Sequence, residues 1–159
     1  MFQTARIAAA SKPELYAELA QQAEHLLAGE RDRVANAANF AALVWQHLPA
    51  INWCGFYFFD GRELVVGPFQ GKPACIRIAL GRGVCGTAAA TRTTQVVADV
   101  DAFPGHIACD GDSRSEIVVP LRDASGAIIG VLDVDSEAPA RFDDTDREGL
   151  EVIAALIHS

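Results

Sequence analysis

The chain has 159 residues, 50% of them hydrophobic and 21% charged, a balance that fits one globular domain with one core and excludes disorder. Its 21 acidic and 13 basic residues leave a net charge of −8, which argues against a nucleic-acid partner. No apolar run approaches the roughly 20 residues of a membrane span. Residues 1–10 lack the charged start and long apolar run of a signal peptide, so a cytoplasmic setting without a membrane partner is expected.

Ser11-Lys12-Pro13-Glu14 reads as a helix start: Ser11 caps, Pro13 tolerates an early position and Glu14 completes a capping box. Leu15, Leu19, Ala23, Leu26 and Leu27 then recur at helical spacing, and Gly29 ends the helix. A second helix is expected from about Asp32 to Leu48, where Pro49 stops it. Both are scaffold, and His25 and His47 read as surface or core-edge histidines.

Residues 52–59 form an aromatic-rich strand closed by Asp60-Gly61, a hairpin signal, with a return strand over 63–67. Alternation places Cys54, Phe56 and Phe58 on one face and Trp53, Tyr57 and Phe59 on the other. One face can pack on the helices while the other lines a pocket. Cys54 reads as a small buried hydrophobe. Residues 68–73, with one glycine and two prolines, read as a loop, and 74–79 as a strand. The glycine turn from Gly81 leads into a short helix with Cys85 near its start. There Cys85 is either a thiol that the helix dipole makes more acidic or a small residue filling a tight turn.

A short strand over 94–98 precedes the least regular stretch of the chain, residues 103–116. Turn formers dominate it, and it places Cys109 in a polar loop that feeds the strand over 116–121. The last strand carries Asp133 and Asp135 on one face, although carboxylates are disfavoured in strands and repel one another there. A helix over about 144–158 closes the chain. The expected architecture is a single α+β domain. It has N-terminal helices over about 11–48, a sheet with pocket loops over about 50–137, and the C-terminal helix.

Cys54, Cys75, Cys85 and Cys109 are expected to be reduced unless a disulfide is catalytic or sensory. No Cys-x-x-Cys or His-x-x-His spacing occurs, so no metal is assigned.

Five stretches also resemble a known family: Gly67-Pro68-Phe69-Gln70-Gly71-Lys72-Pro73-Ala74-Cys75, Gly83-Val84-Cys85-Gly86-Thr87-Ala88, Phe103-Pro104-Gly105-His106-Ile107-Ala108-Cys109-Asp110, Ser115-Glu116-Ile117-Val118-Val119-Pro120 and Gly130-Val131-Leu132-Asp133-Val134-Asp135-Ser136. They are similar to the free methionine-(R)-sulfoxide reductases, which are stand-alone GAF domains. The resemblance implies a six-stranded antiparallel sheet with helices on one face and a loop-covered pocket on the other. It implies reduction of free L-methionine (R)-sulfoxide, with no bound cofactor and with thioredoxin, ultimately driven by NADPH, as the external dithiol. It implies Cys109 as the attacking cysteine, Cys75 as the resolving one and Cys85 as auxiliary. Glu116, Asp133 and Asp135 match the pocket carboxylates, Trp53 matches an aromatic wall, and homodimers are common.

The residues make chemical sense of this. A sulfoxide oxygen must gain a proton or a strong hydrogen bond before a thiolate attacks sulfur. Clustered carboxyls in a closed site raise one another's pKa, so one of Glu116, Asp133 and Asp135 stays protonated near neutral pH. Another suits the ammonium of a free amino acid, and residue types alone leave the two jobs undivided. Trp53 and Tyr57 would hold the side chain, and amides from Asp110 onward would help the Cys109 thiolate. Product release would need the 100–114 loop to move. A small-molecule-sensing GAF module and a disulfide redox sensor are the competing readings. The acidic pocket and the expected absence of an output domain weigh against the sensing module.

Overall fold

The computed structural model describes residues 7–107 and 110–157. Two expectations fall outside these described residues: Cys109 as nucleophile, and His158 at the end of the last helix.

Helix α1 spans Lys12–Leu27 and starts where the sequence places it, with the Ser11 hydroxyl accepting from the Glu14 amide at 3.4 Å. Helix α2 spans Arg33–His47 and is capped by Asp32, which accepts from the Ala35 amide at 2.8 Å. These side chains satisfy amides that have no partner inside their own helix. His25 is exposed and His47 half-buried, in keeping with a scaffold role.

Six strands follow: β1 (Trp53–Phe59), β2 (Glu63–Gly71), β3 (Arg77–Ala79), β4 (Gln95–Val97), β5 (Ser115–Arg122) and β6 (Ile128–Ser136). They form one antiparallel sheet in the order β3-β2-β1-β6-β5-β4. Helix α3 (Gly83–Thr91) lies between β3 and β4, and a 3-10 turn at Val100–Ala102 precedes β5. Helix α4 (Asp144–Ala154) closes the fold.

Three expected boundaries move, the strand expected from residue 74 beginning only at Arg77 in β3, which leaves Cys75 outside it. Strand β2 runs on to Gly71 instead of entering a loop at Pro68. Gly55 pairs with Phe69 and Tyr57 with Val66, so Gly67 and Pro68 together face Phe56. This bulge absorbs one extra residue and accommodates a proline that has no amide to give the ladder. The last helix stops at Ala154, because Leu156 and Ile157 bond back to Ile153 and Ala154 in tight turns.

The alternation read along β1 sorts the two faces. Cys54, Phe56 and Phe58 join a core with Leu19, Phe40, Val44, Leu132, Leu150 and Ile153 of the three long helices and the sheet. Trp53 and Tyr57 join the other cluster, with Leu64, Val84, Cys85, Val118 and Val131. Helix α3 therefore lies on the pocket face, and α1, α2 and α4 cover the opposite one.

Candidate active site

The register of the sheet assembles the site. Glu116 on β5 stands directly opposite Asp135 on β6, and Asp135 stands opposite Trp53 on β1. One step along, Asp133 sits between Val118 and Gly55. Directly paired residues share a face, and residues two apart return to it. All three carboxyls therefore rise from the α3 side of the sheet. A Cβ at Gly55 would meet the Phe69 Cβ at 2.2 Å and the Trp53 ring at 2.8 Å. Its absence lets Trp53 stack on Phe69 (5.1 Å between centroids) and on Tyr57 (5.9 Å).

A cavity of about 30 Å³ lies above these residues. Tyr57, Cys85, Asp110, Glu116, Asp133 and Asp135 line it, joined by His106, Ile107, Ser113 and Arg82. The structure thus brings together six of the predicted site residues. Trp53 stands one layer behind, buried against Tyr57, with its indole nitrogen donating to the Lys72 carbonyl at 3.0 Å. Cys75 lies in the β2–β3 connection, half-buried and disulfide-bonded. Cys54 and Cys85 are free thiols. Cys109 is outside the described residues, but Ile107 and Asp110 on either side of it both line the cavity.

Burial dominates the electrostatics. Glu116 and Asp133 are each 6% exposed, and among the described residues no lysine or arginine forms an ion pair with Glu116, Asp133 or Asp135. Loss of water raises Glu116 well above the usual carboxylate range, and the negative charges of Asp133 and Asp135 raise it further. Burial likewise raises Asp135, with Asp133 and Asp110 adding to it. Asp133 is pushed up to about 7, less far than burial alone would push it, because hydrogen bonding from its neighbours stabilises its anion. Crowded together without cations, the three carboxyls retain at least one proton at neutral pH. Asp110 behaves differently: the Asp112 amide and Lys72 lower its pKa, so it is a carboxylate at the rim.

Of the two readings of Cys85 left open by the sequence, burial disfavours the acidified thiol. Cys85 sits at the third residue of α3, near the positive end of the helix dipole. Yet burial and the charges of Asp133, Glu116 and Asp135 raise it well above an ordinary thiol. A nine-residue helix does not outweigh desolvation beside carboxylates, so Cys85 is a protonated thiol, donating to Glu116 Oε1 at 3.9 Å.

Sequence reasoning gave no role to His106. Its Nε2 lies 3.8 Å from Glu116 Oε2, and burial lowers its pKa, so it faces the acid as a neutral imidazole. Only its place in the irregular 103–116 stretch pointed to it. The rim is tied to the sheet by Asn52, whose amide donates to Asp110 at 3.4 Å and to Ser113 at 3.1 Å. Lys72 pairs there with both Asp110 and Asp112.

The GAF domain family matches residues 13–158. The free methionine-R-sulfoxide reductase of Escherichia coli is 51% identical over 92% of this chain and 88% of its own. The structure of the free methionine-R-sulfoxide reductase of Neisseria meningitidis, in complex with its substrate, superposes with a TM-score of 0.93 at 50% identity, covering 99% of this chain and 93% of that one. A crystal structure from Burkholderia vietnamiensis, described as a GAF sensor protein, superposes with a TM-score of 0.91 at 68% identity, covering 93% of this chain and 94% of that one.

Proposed function

The chain belongs to the GAF-domain family of free methionine-R-sulfoxide reductases, and from that premise we propose that it reduces free L-methionine (R)-sulfoxide with Glu116 as the proton donor. The observation that carries this is the row of three buried carboxyls in one small cavity, which keeps a carboxylic acid protonated at neutral pH.

Glu116 donates its proton to the sulfoxide oxygen while the Cys109 thiolate attacks the sulfoxide sulfur. The oxygen leaves with the cysteine as a sulfenic acid, and methionine is released. The Cys75 thiol then attacks the sulfenic sulfur, expelling water and forming a disulfide. That Cys75 is already disulfide-bonded supports this role. An external dithiol reopens the bond by exchange, thioredoxin being the proposed reductant and NADPH its ultimate source. Cys85, held as a thiol against Glu116, is auxiliary.

Asp133 has one buried oxygen without a hydrogen-bond partner among the described residues, which suits the ammonium of a free amino acid. Tyr57 and the Trp53 ring behind it form the apolar wall. At about 30 Å³ the cavity is far below the ~300 Å³ at which ligand pockets begin. Substrate entry therefore parts its walls, and the segment bearing His106 and Ile107 is the wall outside the sheet. A homodimer belongs to the same reading: Val34 (59% exposed) and Trp45 (39%) lie eleven residues apart on one side of α2. No described helix is long and apolar enough to cross a membrane, which is compatible with the proposed cytoplasmic setting.

The test is a thiol count after mixing reduced protein with each epimer of free methionine sulfoxide. The expected result is loss of two thiols per methionine formed, with the R epimer only. Unchanged thiols with both epimers would overturn the reading in favour of a sensing module.

A further inference from the structure

We propose that Cys85, His106, Glu116 and Asp133 form a binding site for a divalent cation of the zinc type, and that the ion closes the cavity to substrate. The donors come from four places in the chain, which is why no sequence spacing announces them. One donor atom each from Cys85, Glu116 and Asp133 lies within 4.8 Å of the other two. Cys85 Sγ is 3.9 Å from Glu116 Oε1, and His106 Nε2 is 3.8 Å from Glu116 Oε2. A tetrahedral zinc ion with bonds of roughly 2.0–2.3 Å sets its donors about 3.4–3.6 Å apart. Cys85, Glu116 and Asp133 therefore close by up to roughly an ångström around the ion, and His106, which stands outside that triad, joins through its approach to Glu116.

A second observation points to a ligand independently. Asp133 is 6% exposed, yet its Oδ1 has no hydrogen-bond partner among the described residues. Such an atom forgoes the solvation it would have in water. Nor does any described lysine or arginine pair with these carboxyls, so no resident charge must be displaced. The cavity, about 30 Å³, is close to the volume share of a single water. It holds an ion where it would not hold an amino acid. A thiolate and an imidazole beside two carboxylates favour zinc over magnesium or calcium. Because Asp133 and Glu116 are also the groups proposed to meet substrate, the blocking role rests on the proposed function. The binding itself does not.

The experiment uses Co²⁺ as a spectroscopic stand-in, added to the oxidised protein, in which Cys75 is bonded and Cys85 is the free thiol on this face. The expected result is a sulfur-to-cobalt charge-transfer band with the intense visible bands of a four-coordinate ion, all removed by Zn²⁺. Cys85→Ser should lose the charge-transfer band, whereas Cys54→Ser, altered on the opposite face, should keep it. Glu116→Gln and Asp133→Asn should each weaken binding by about tenfold or more. A missing band, or one that survives Cys85→Ser, overturns the site. If Cys85→Ser does not fold by circular dichroism, unchanged affinity in Asp133→Asn overturns it instead. In single-turnover reduction by the reduced protein, Zn²⁺ should raise the substrate concentration required without lowering the plateau. Spectroscopic binding without that inhibition refutes the blocking role alone. Absent reduction with an intact cobalt spectrum refutes the proposed function and leaves the site standing.

Discussion

Two clusters of buried acid stand on opposite sides of the sheet, and they are built on opposite principles. Asp146 in α4 has a fully buried side chain, yet Lys12 reaches it at 2.5 Å and Arg141 at 3.2 Å, and the Tyr16 hydroxyl donates to it at 2.9 Å. It also closes the capping box with Asp143 that starts its helix. Glu116 and Asp133 are nearly as deeply placed, Asp135 is half-buried beside them, and among the described residues none of the three has such a cation. A buried carboxylate paired with cations ties elements together; carboxyls buried without them hold protons. The first arrangement joins α1 to α4. The second is the arrangement proposed to supply an acid at neutral pH, and the fold holds both by placing them on opposite faces of the sheet.

The comparison is sharpest when each cluster is broken in turn. Glu116→Gln keeps the shape and removes the transferable proton, so single-turnover reduction should slow by roughly 10²- to 10⁴-fold. Urea unfolding of that variant should show stability equal to or above the parent's. A fall in substrate affinity without a slower chemical step would instead make Glu116 the ammonium ligand. Asp146→Ala should do the reverse. It leaves Arg141, half-buried Lys12 and the Tyr16 hydroxyl without their shared partner and should cost about 3–5 kcal/mol in urea unfolding, with reduction per folded molecule little changed. Tyr16→Phe, which removes one hydrogen bond to the buried carboxylate, should cost a smaller 1.5–3 kcal/mol or so.

The pH signatures should also oppose. Glu116 has a raised folded pKa, so the folded state holds a proton that the unfolded chain has released. Relative to Glu116→Gln, the parent should therefore lose stability as pH rises above the ordinary carboxylate range and through the raised folded value. Asp143 is pushed down to about 2 by Lys12 and the Asp146 amide. Its contribution is present above the unfolded value and lost as pH falls toward 2. Because Asp143 is 57% exposed, Asp143→Asn should flatten the acid limb of the stability curve only slightly. Thermal unfolding across pH checks both directions, and the Asp143 effect is the smallest expected.

Much of this was readable in the chain. The period of two in β1 assigned Trp53 and Tyr57 to one face and Cys54 to the other, and both assignments hold because side chains alternate whatever the tertiary context. Asp133 and Asp135 were anomalous as carboxylates in a strand, and their meeting with Glu116 needed only that β5 and β6 be neighbours. What the sequence hid depends on relations between distant elements. Pro68 looks like a loop residue until the bulge opposite Phe56 gives it a place in β2. Cys85 looks like an activated thiol until the carboxyls of two other strands stand beside it. His106 has no periodic pattern around it, and only the closing of the cavity sets it against Glu116.

The central claim is that Glu116 is a protonated acid at neutral pH. Infrared difference spectroscopy of the carboxylic acid C=O stretch tests it most directly, comparing the parent with Glu116→Gln. The account predicts a protonated carboxyl band in the parent at neutral pH that fades on alkaline titration and loses its Glu116 component in Glu116→Gln, any remaining intensity belonging to Asp133 and Asp135. A parent in which every carboxyl is ionised at neutral pH, or a band undiminished in Glu116→Gln, would contradict it.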